Sequence, residues 1–525
     1  MNRLLKALLI LNLEIVLLAP TCSSHKVDRG TKTNDQYWAE TGLDSHELET
    51  LLADDSCLAQ EQNFLACVNA INQVSERYGV TLTEQGHLRQ LNSEDVANRI
   101  TEKQELAGWS EKFQQTTFSF LKVWKELDQK YIQPGQRSAV IASGINGFLS
   151  IYKDPHSYIM PLAMYEEVIA NSESRSANVG FIARRMKNTL LVRKVFEGSP
   201  AELAGFHKGD VILSINGQQI SDLLPTQIND LLKMRDMNRI GFQILRKQGP
   251  NARNEKKYIE LLRSEKTYPS VVSRVIDGRR RLGLIVLHKF SKNVCNMTKK
   301  EIIQLKEENV QGLILDLRDN PGGQVEEAAC VANLFLSKGT FLFETRYLDS
   351  SKPADRYVAD ENPMYRGSLA VLINSGSASA AEIVAGVLKD QNRARLIGER
   401  SFGKGSFQDG RVWGANSKIA FFETEGLYYF ASGWTPQLVG LTPDIQVDFN
   451  NAENQREEEL FINPISPIDN WSAPQNLAWL MDRGCDEETS LINASGTWAG
   501  DQDPQVEKAQ ALLSCGEKHD RHGSL

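Results

Sequence analysis

At 525 residues the chain is long enough for two to four domains, and 41% apolar against 24% charged residues is ordinary globular composition. The net charge of −8, with a pI near 5.7, leaves no basic surface of the kind a nucleic-acid partner needs, so that partner is excluded.

Residues Met1 to Ser24 carry Arg3 and Lys6 ahead of the run ALLILNLEIVLLAPTCSS, a charged start and an apolar stretch of signal length. The run is too short and interrupted for a spanning helix, so 1–22 reads as a signal peptide and the product as exported to the periplasm. Leu18-Ala19-Pro20-Thr21-Cys22 resembles a bacterial lipoprotein cleavage box, which implies a lipid on Cys22 and membrane attachment. Simple cleavage nearby, giving a soluble periplasmic protein, is the alternative. Beyond Cys22 six cysteines remain, an even number that suits disulfides in an oxidising compartment. Sequence neighbourhood favours Cys57–Cys67, Cys295–Cys330 and Cys485–Cys515. One straight helix would hold Cys57 and Cys67 about 15 Å apart, so the first pairing requires a turn between them. Nothing in the Cys and His spacing suggests zinc, and neither metal nor cofactor is expected.

Residues 23–164 read as a polar tether followed by a helical region with core-facing stripes, among them Leu65, Val68, Ile71 and Val74, then Phe118, Leu121, Trp124 and Leu127. A further helix, Ser138 to Tyr152, leads into Asp154-Pro155-His156-Ser157-Tyr158, in which His156 is expected to order its loop. After a helix near Tyr165 to Asn171 comes a unit of short strands, 165–265. Gly198-Ser199-Pro200-Ala201 starts a short helix, and Lys208-Gly209-Asp210 with Val211 to Gly217 reads as turn, strand and hairpin turn. These runs resemble the PDZ signature. The resemblance implies a groove in which Val179, Gly180, Phe181 and Ile182 receive a peptide's terminal carboxylate on backbone N–H groups, with a helix from Thr226 to Met234 as the opposite wall. A PDZ-like unit that merely packs on its neighbour is the plainer alternative.

From 266 to 450 strand and helix alternate. The continuous apolar runs Leu282 to Leu287 and Gly312 to Leu317 suit strands covered on both faces, with helices at Lys299 to Glu308 and Val325 to Leu336. The stretch Val371 to Gln408 then reads strand, tight turn, helix. Such a turn presents Ser379 at a helix N-terminus, where unpaired N–H groups favour the negative charge of acyl transfer. A serine needs a base, and Lys404 in Phe402-Gly403-Lys404-Gly405 qualifies if burial lowers its pKa to roughly 7–8. Gln408 is placed to orient the amine. On these residues alone a helix cap and a glycine loop remain the plainer reading. Ile419 to Phe430 reads as a hairpin, and 451–525 as an acidic linker with helical pieces at Leu477 to Met481 and Val506 to Leu513.

Taken together, Gly-Ser-Ala-Ser-Ala-x-Glu from Gly376, a lysine 25 positions after Ser379, a glutamine four further on, and Leu315-Asp316-Leu317-Arg318-Asp319-Asn320-Pro321-Gly322-Gly323 resemble the C-terminal processing peptidases, or tail-specific proteases. The resemblance implies an α/β fold: a ClpP/crotonase-like catalytic core with an inserted PDZ domain, here flanked by the helical N-terminal region and a small helical C-terminal extension. It implies a serine endopeptidase with a Ser379/Lys404 dyad supported by Gln408, an oxyanion hole from the N–H groups of Gly322 and Ala380, and substrates that are proteins or peptides with accessible C-termini. It also implies that Arg235, matching a PDZ arginine of the family but followed by Asp236 where the family has glycine, links peptide occupancy to the active site; an exposed helix-end cation on the last carbonyls is the alternative. A homo-oligomer stays open, and so does a non-catalytic peptide- or ligand-binding protein on the same fold.

Overall fold

The longest helices of the N-terminal region, Glu61–Ser75 and Arg137–Tyr152, pack closely because Gly147 lets the two backbones approach: a Cβ there would lie 2.9 Å from the Asn69 carbonyl oxygen. Ile71, Val74, Ile141 and Ile145 meet there, joined by Leu48, Phe120 and Trp124 from neighbouring helices. The computed structural model describes residues 34–91, 102–170, 179–186, 189–196, 199–220, 223, 228, 231–232, 239–247, 254–262, 270–413, 416–448, 456–468 and 503–514. Residues from Asn34 onward form one compact unit. The signal segment with Cys22, the arginine Arg235, the cysteines Cys485 and Cys515, and the helical piece Leu477 to Met481 lie outside the described residues.

Cys57 and Cys67 are bonded with Cα atoms 5.9 Å apart. The turn that this pairing requires is present: a short helix, Asp54–Cys57, ends at the first cysteine, and the next begins at Glu61. Cys295 and Cys330 are bonded likewise, at 5.8 Å, and tie the helix Val294–Glu307 to Val325–Asn333. Among the described residues no helix is long and apolar enough to cross a membrane. Among the elements that escaped the sequence reading are a small hairpin of Val80–Leu82 with Leu88–Gln90 inside the helical region and the strands Tyr158–Pro161, Phe341–Tyr347 and Asp355–Val358.

The catalytic half is built on a six-stranded sheet in the order Val271–Ile276, Leu282–Leu287, Gly312–Asp316, Ser368–Ile373, Arg395–Gly398 and Ile445–Gln446; the first pair is antiparallel and the rest parallel. Its apolar runs have the physical reason the sequence suggested. Leu313, Leu315, Val371 and Ile373 face the core under the helices Val294–Glu307, Val325–Asn333 and Ala380–Asp390, while Ile314, Ala370 and Leu372 face a second core closed by Val506, Ala509 and Leu513 of the helix Pro504–Ser514.

Beside it lies an antiparallel sheet of Asp355–Val358, Phe341–Tyr347, Asn416–Phe430 and Ser406–Trp413, with Tyr158–Pro161 paired to the first half of Asn416–Phe430. Here the sequence reading is corrected. Ile419 to Phe430 is the inner part of a single 15-residue strand, and its hairpin partner is Ser406–Trp413. Gly426 sits within that strand, where a Cβ would fall 2.1 Å from the Arg346 carbonyl oxygen, so the glycine marks close backbone approach and not a turn.

The PDZ unit is a separate antiparallel sheet in the order Phe181–Met186, Thr189–Val195, Val211–Ile215, Arg239–Lys247 and Asn254–Leu262, with Gln218–Gln219 paired to Val211–Ile215. Phe181, Phe206 and Phe242 meet in its core at 5.1 to 5.8 Å between ring centres. Arg246 closes the unit by pairing with Asp210 at 2.6 Å.

Candidate active site

The strand Ser368–Ile373 ends in a turn that delivers Ser379 to the start of the helix Ala380–Asp390. Ser379 adopts φ 55° and ψ −120°, an uncommon conformation for a residue with a side chain. The turn is overdetermined by hydrogen bonds. Asn374 Oδ1 accepts the Asp319 N–H at 2.9 Å and the Gly376 N–H at 3.0 Å, the Ser377 hydroxyl donates to the Leu317 carbonyl at 2.8 Å, and the Ala378 N–H donates to the Asn320 carbonyl at 3.0 Å. These bonds stitch the serine turn to the Arg318–Gly323 loop.

Gly322, at φ +97°, sits directly against the serine. A Cβ on it would fall 2.7 Å from both Ser379 Cβ and the Ala378 carbonyl oxygen and 2.9 Å from the Ala380 nitrogen. Its own N–H donates to Asn320 Oδ1 at 2.9 Å. Ala380, fully buried, is the first residue of the helix, where the N–H has no intrahelical acceptor.

Glu382 is the residue whose role the sequence reading missed. It is 0% exposed, and its two oxygens accept four donors: the Ser401 hydroxyl at 2.5 Å, the Gly403 N–H at 2.8 Å, the Lys404 N–H at 2.8 Å and the Ser379 N–H at 3.0 Å. Burial pushes its carboxyl up to about 7, against the pull of those donors. One side chain thus fixes the backbone of both Ser379 and Lys404. The signal was present in Ser379-x-x-Glu382, a capping-box pattern. Tyr428 adds a second tie, its hydroxyl donating to the Lys404 carbonyl at 3.1 Å and the Ser379 carbonyl at 3.3 Å.

Lys404 Nζ donates to the Ser406 carbonyl at 3.0 Å and to Gln408 Oε1 at 2.9 Å. Among the described residues no hydrogen bond joins it to Ser379. Burial lowers its pKa to about 8, with Glu457, Asp154 and Glu382 opposing the shift. Gln408 is oriented in turn, its Nε2 donating to Ser406 Oγ at 3.2 Å and to Thr424 Oγ1 at 3.1 Å. Thr424 then donates to Asp154 Oδ1 at 2.7 Å, and the same carboxylate accepts the Ser157 hydroxyl at 2.5 Å and the His156 N–H at 2.9 Å. The Asp-Pro-His-Ser stretch therefore anchors the far end of a relay that begins at Lys404. His156 itself lies 3.3 Å from the buried Glu457 carboxylate and edge-on to Phe461, in keeping with a loop-ordering part.

In the PDZ unit Val179 and Phe181 are buried, and Phe181 points into the PDZ core, so the residues expected to receive a peptide contribute backbone there more than side chain. Gly180, at φ +90°, has its carbonyl held by the Ser199 hydroxyl at 3.1 Å. Phe181–Met186 is an edge strand, and Ile228 and Leu231 are buried in the same core. No cluster of three or more metal-binding side chains occurs among the described residues.

Residues 281–447 match the model of peptidase family S41, and 191–236 match a PDZ domain. The catalytic core belongs to peptidase family S41. Among curated relatives, the family S41 core and its flanks are similar to the probable CtpA-like serine protease of Staphylococcus aureus strain COL, with 25% identity over 351 residues, 66% of this chain and 67% of that protein. The chloroplastic carboxyl-terminal-processing peptidase 3 of Arabidopsis thaliana is 31% identical over 320 residues, 59% of this chain and 61% of that one. Of solved structures, a photosystem II D1 C-terminal processing protease aligns with 26% identity and a TM-score of 0.44, over 63% of this chain and 87% of that one. The chain thus carries a serine-type peptidase core with a PDZ domain, and it is similar to proteases named for C-terminal processing.

Proposed function

We propose that this peptidase is an exported endopeptidase that cleaves with a Ser379/Lys404 dyad and selects substrates by their C-terminal tails through the PDZ unit. The observation that carries the reading is the setting of the lysine amine. A neutral amine has two N–H donors and one lone pair, and both donors of Lys404 find carbonyl-type acceptors in Ser406 and Gln408. The lone pair is left for Ser379. With its pKa at about 8, a useful fraction of the amine is neutral near physiological pH.

In this mechanism neutral Lys404 takes the Ser379 proton as the oxygen attacks the scissile carbonyl. The charge of the tetrahedral intermediate falls on the Ala380 N–H at the helix N-terminus and on the Gly322 N–H, which leaves Asn320 Oδ1 to meet it. The lysine ammonium then protonates the leaving amine, and water hydrolyses the acyl-enzyme by the same route. Peptide tails would add as a strand to the Phe181–Met186 edge, their carboxylates on the backbone of Val179 to Ile182. The bonded pairs Cys57–Cys67 and Cys295–Cys330 support an oxidising compartment, and with it the export reading of the N-terminal segment.

The deciding experiment compares the purified protein with Ser379→Ala and Lys404→Ala on an unfolded protein ending in an apolar tail. Cleavage by the wild type alone is expected. Equal cleavage by all three removes the dyad, and no cleavage by any, with the tail still bound, favours a binding protein on this fold.

A further inference from the structure

Beyond the family S41 match, the described end of the C-terminal extension, 503–514, packs on the catalytic core next to Arg318. Asp503 precedes the helix Pro504–Ser514 and accepts the Gln505 N–H at 3.1 Å, and the helix covers the second face of the central sheet. Two side chains from this end reach Arg318. Its Nη1 donates to both oxygens of Asp503 at 2.9 and 2.7 Å and to Gln505 Oε1 at 2.9 Å, while Nε and Nη2 donate to Asp316 at 2.9 and 2.6 Å. Gln505, 1% exposed, is fixed in turn by donating to the Val447 carbonyl at 2.7 Å. Burial acts to lower the Arg318 pKa, but Asp316 and Asp503 outweigh it and raise it, so the guanidinium stays charged. Loss of one carboxylate leaves buried donors unpaired.

Arg318 opens the loop that ends on Gly322. The next residue, Asp319, is bonded to Asn374 of the serine turn, and Asn320 holds the Gly322 N–H. The PDZ unit arrives at this same loop. Phe196 stacks edge-on against His288 at 4.8 Å, one residue from Leu287, whose carbonyl accepts Asn320 Nδ2 at 2.9 Å. Lys208, in the turn before the PDZ strand Val211–Ile215, lies in electrostatic reach of Asp503, Arg318, Asp319 and Asp316.

We propose that Asp503 is a positioning residue for peptide hydrolysis: it holds Arg318, and through it the Gly322 loop that stands against Ser379. This rests on the Ser379/Lys404 reading. An extension with no part in the chemistry would need only its apolar face.

The test uses the full chain, a short quenched peptide and the same cleavage sequence in a protein with an apolar C-terminal tail. Asp503→Asn is expected to lower kcat on both substrates by about ten- to a hundredfold with KM little changed, and Asp503→Glu to recover most of it. A kcat within twofold of wild type for Asp503→Asn overturns the proposal; so does a loss that Asp503→Glu fails to recover and that follows a fall in Tm. If the wild type cleaves neither substrate, the dyad reading fails separately and hydrogen exchange on Ser379→Ala decides. Faster exchange over residues 317–324 on adding Asp503→Asn then supports the positioning role, and unchanged exchange rejects it.

Discussion

The nucleophile and its base are held by different means. Ser379 is fixed by backbone: a parallel strand, a turn tied to the Arg318–Gly323 loop, a positive φ, and a glycine packed against its Cβ. Lys404 is fixed by side chains passed hand to hand across an antiparallel sheet, from Gln408 to Thr424 to Asp154. Glu382 joins the two by accepting an N–H from each. A nucleophile needs one exact place, which backbone geometry secures; a base needs a tuned proton affinity, which burial and polar neighbours set.

The largest effect expected from breaking this contrast is on the base side. Lys404→Arg keeps a cation that stays protonated, and hydrolysis should fall by about 10⁴-fold or to background. The companion measurement is the pH profile of the wild type. Lys404 works when neutral, so kcat should rise with pH and level off above about 8. The same shift reaches stability. Because burial holds the folded pKa below the ordinary lysine value of 10.5, the unfolded chain binds the extra proton between about 8 and 10.5, and this site's contribution to stability rises with pH through that window. A profile with its midpoint near that of free lysine contradicts the enclosed amine.

Next in size is the nucleophile side. Gly322→Ala places a methyl group 2.7 Å from Ser379 Cβ in a backbone conformation that disfavours side chains, and kcat should drop by about 10²- to 10³-fold. A fluorophosphonate probe checks that the serine, and not the whole fold, is affected: labelling should slow while Tm moves by a few degrees at most. Smallest is the outer link of the relay. Thr424→Val removes the hydroxyl between Gln408 and Asp154 at nearly constant shape, and a loss of about three- to tenfold in kcat is expected, with the pH midpoint shifted. A Thr424→Val protein with the wild-type pH profile shows that Gln408 holds its place without the relay.

Much of the nucleophile side was legible in sequence because it is local: strand, turn, serine and helix follow one another within Val371 to Leu388, and the spacing to Lys404 and Gln408 completes the pattern. The relay was not. Asp154 and Thr424 are 270 positions apart, and only strand pairing of Tyr158–Pro161 with Asn416–Phe430 brings them together. The misread hairpin has a similar cause, since the partner strand Ser406–Trp413 and the crowded crossing at Gly426 are set by the sheet and not by the local pattern. Glu382 lay in plain view in a capping pattern, yet its bonds to Gly403 and Lys404 depend on a loop some twenty residues on. Arg318 lies in a legible motif, but its acceptor Asp503 lies 185 residues away in a stretch with no motif of its own.

The strand Asn416–Phe430 has a consequence for how this molecule can be divided. Its early residues, Ile419 and Phe421, are buried among the N-terminal helices, Thr424 serves the lysine, and Tyr428 and Phe430 are buried beneath the serine helix. A single extended segment is therefore shared property of two regions that sequence similarity would draw as separate modules. Excising residues 266–450 as a minimal protease would strip the apolar cover from one end of this strand and Asp154 from its middle. The inherited unit and the folding unit have different borders, and the helical region is part of the enzyme's frame, not a detachable leader.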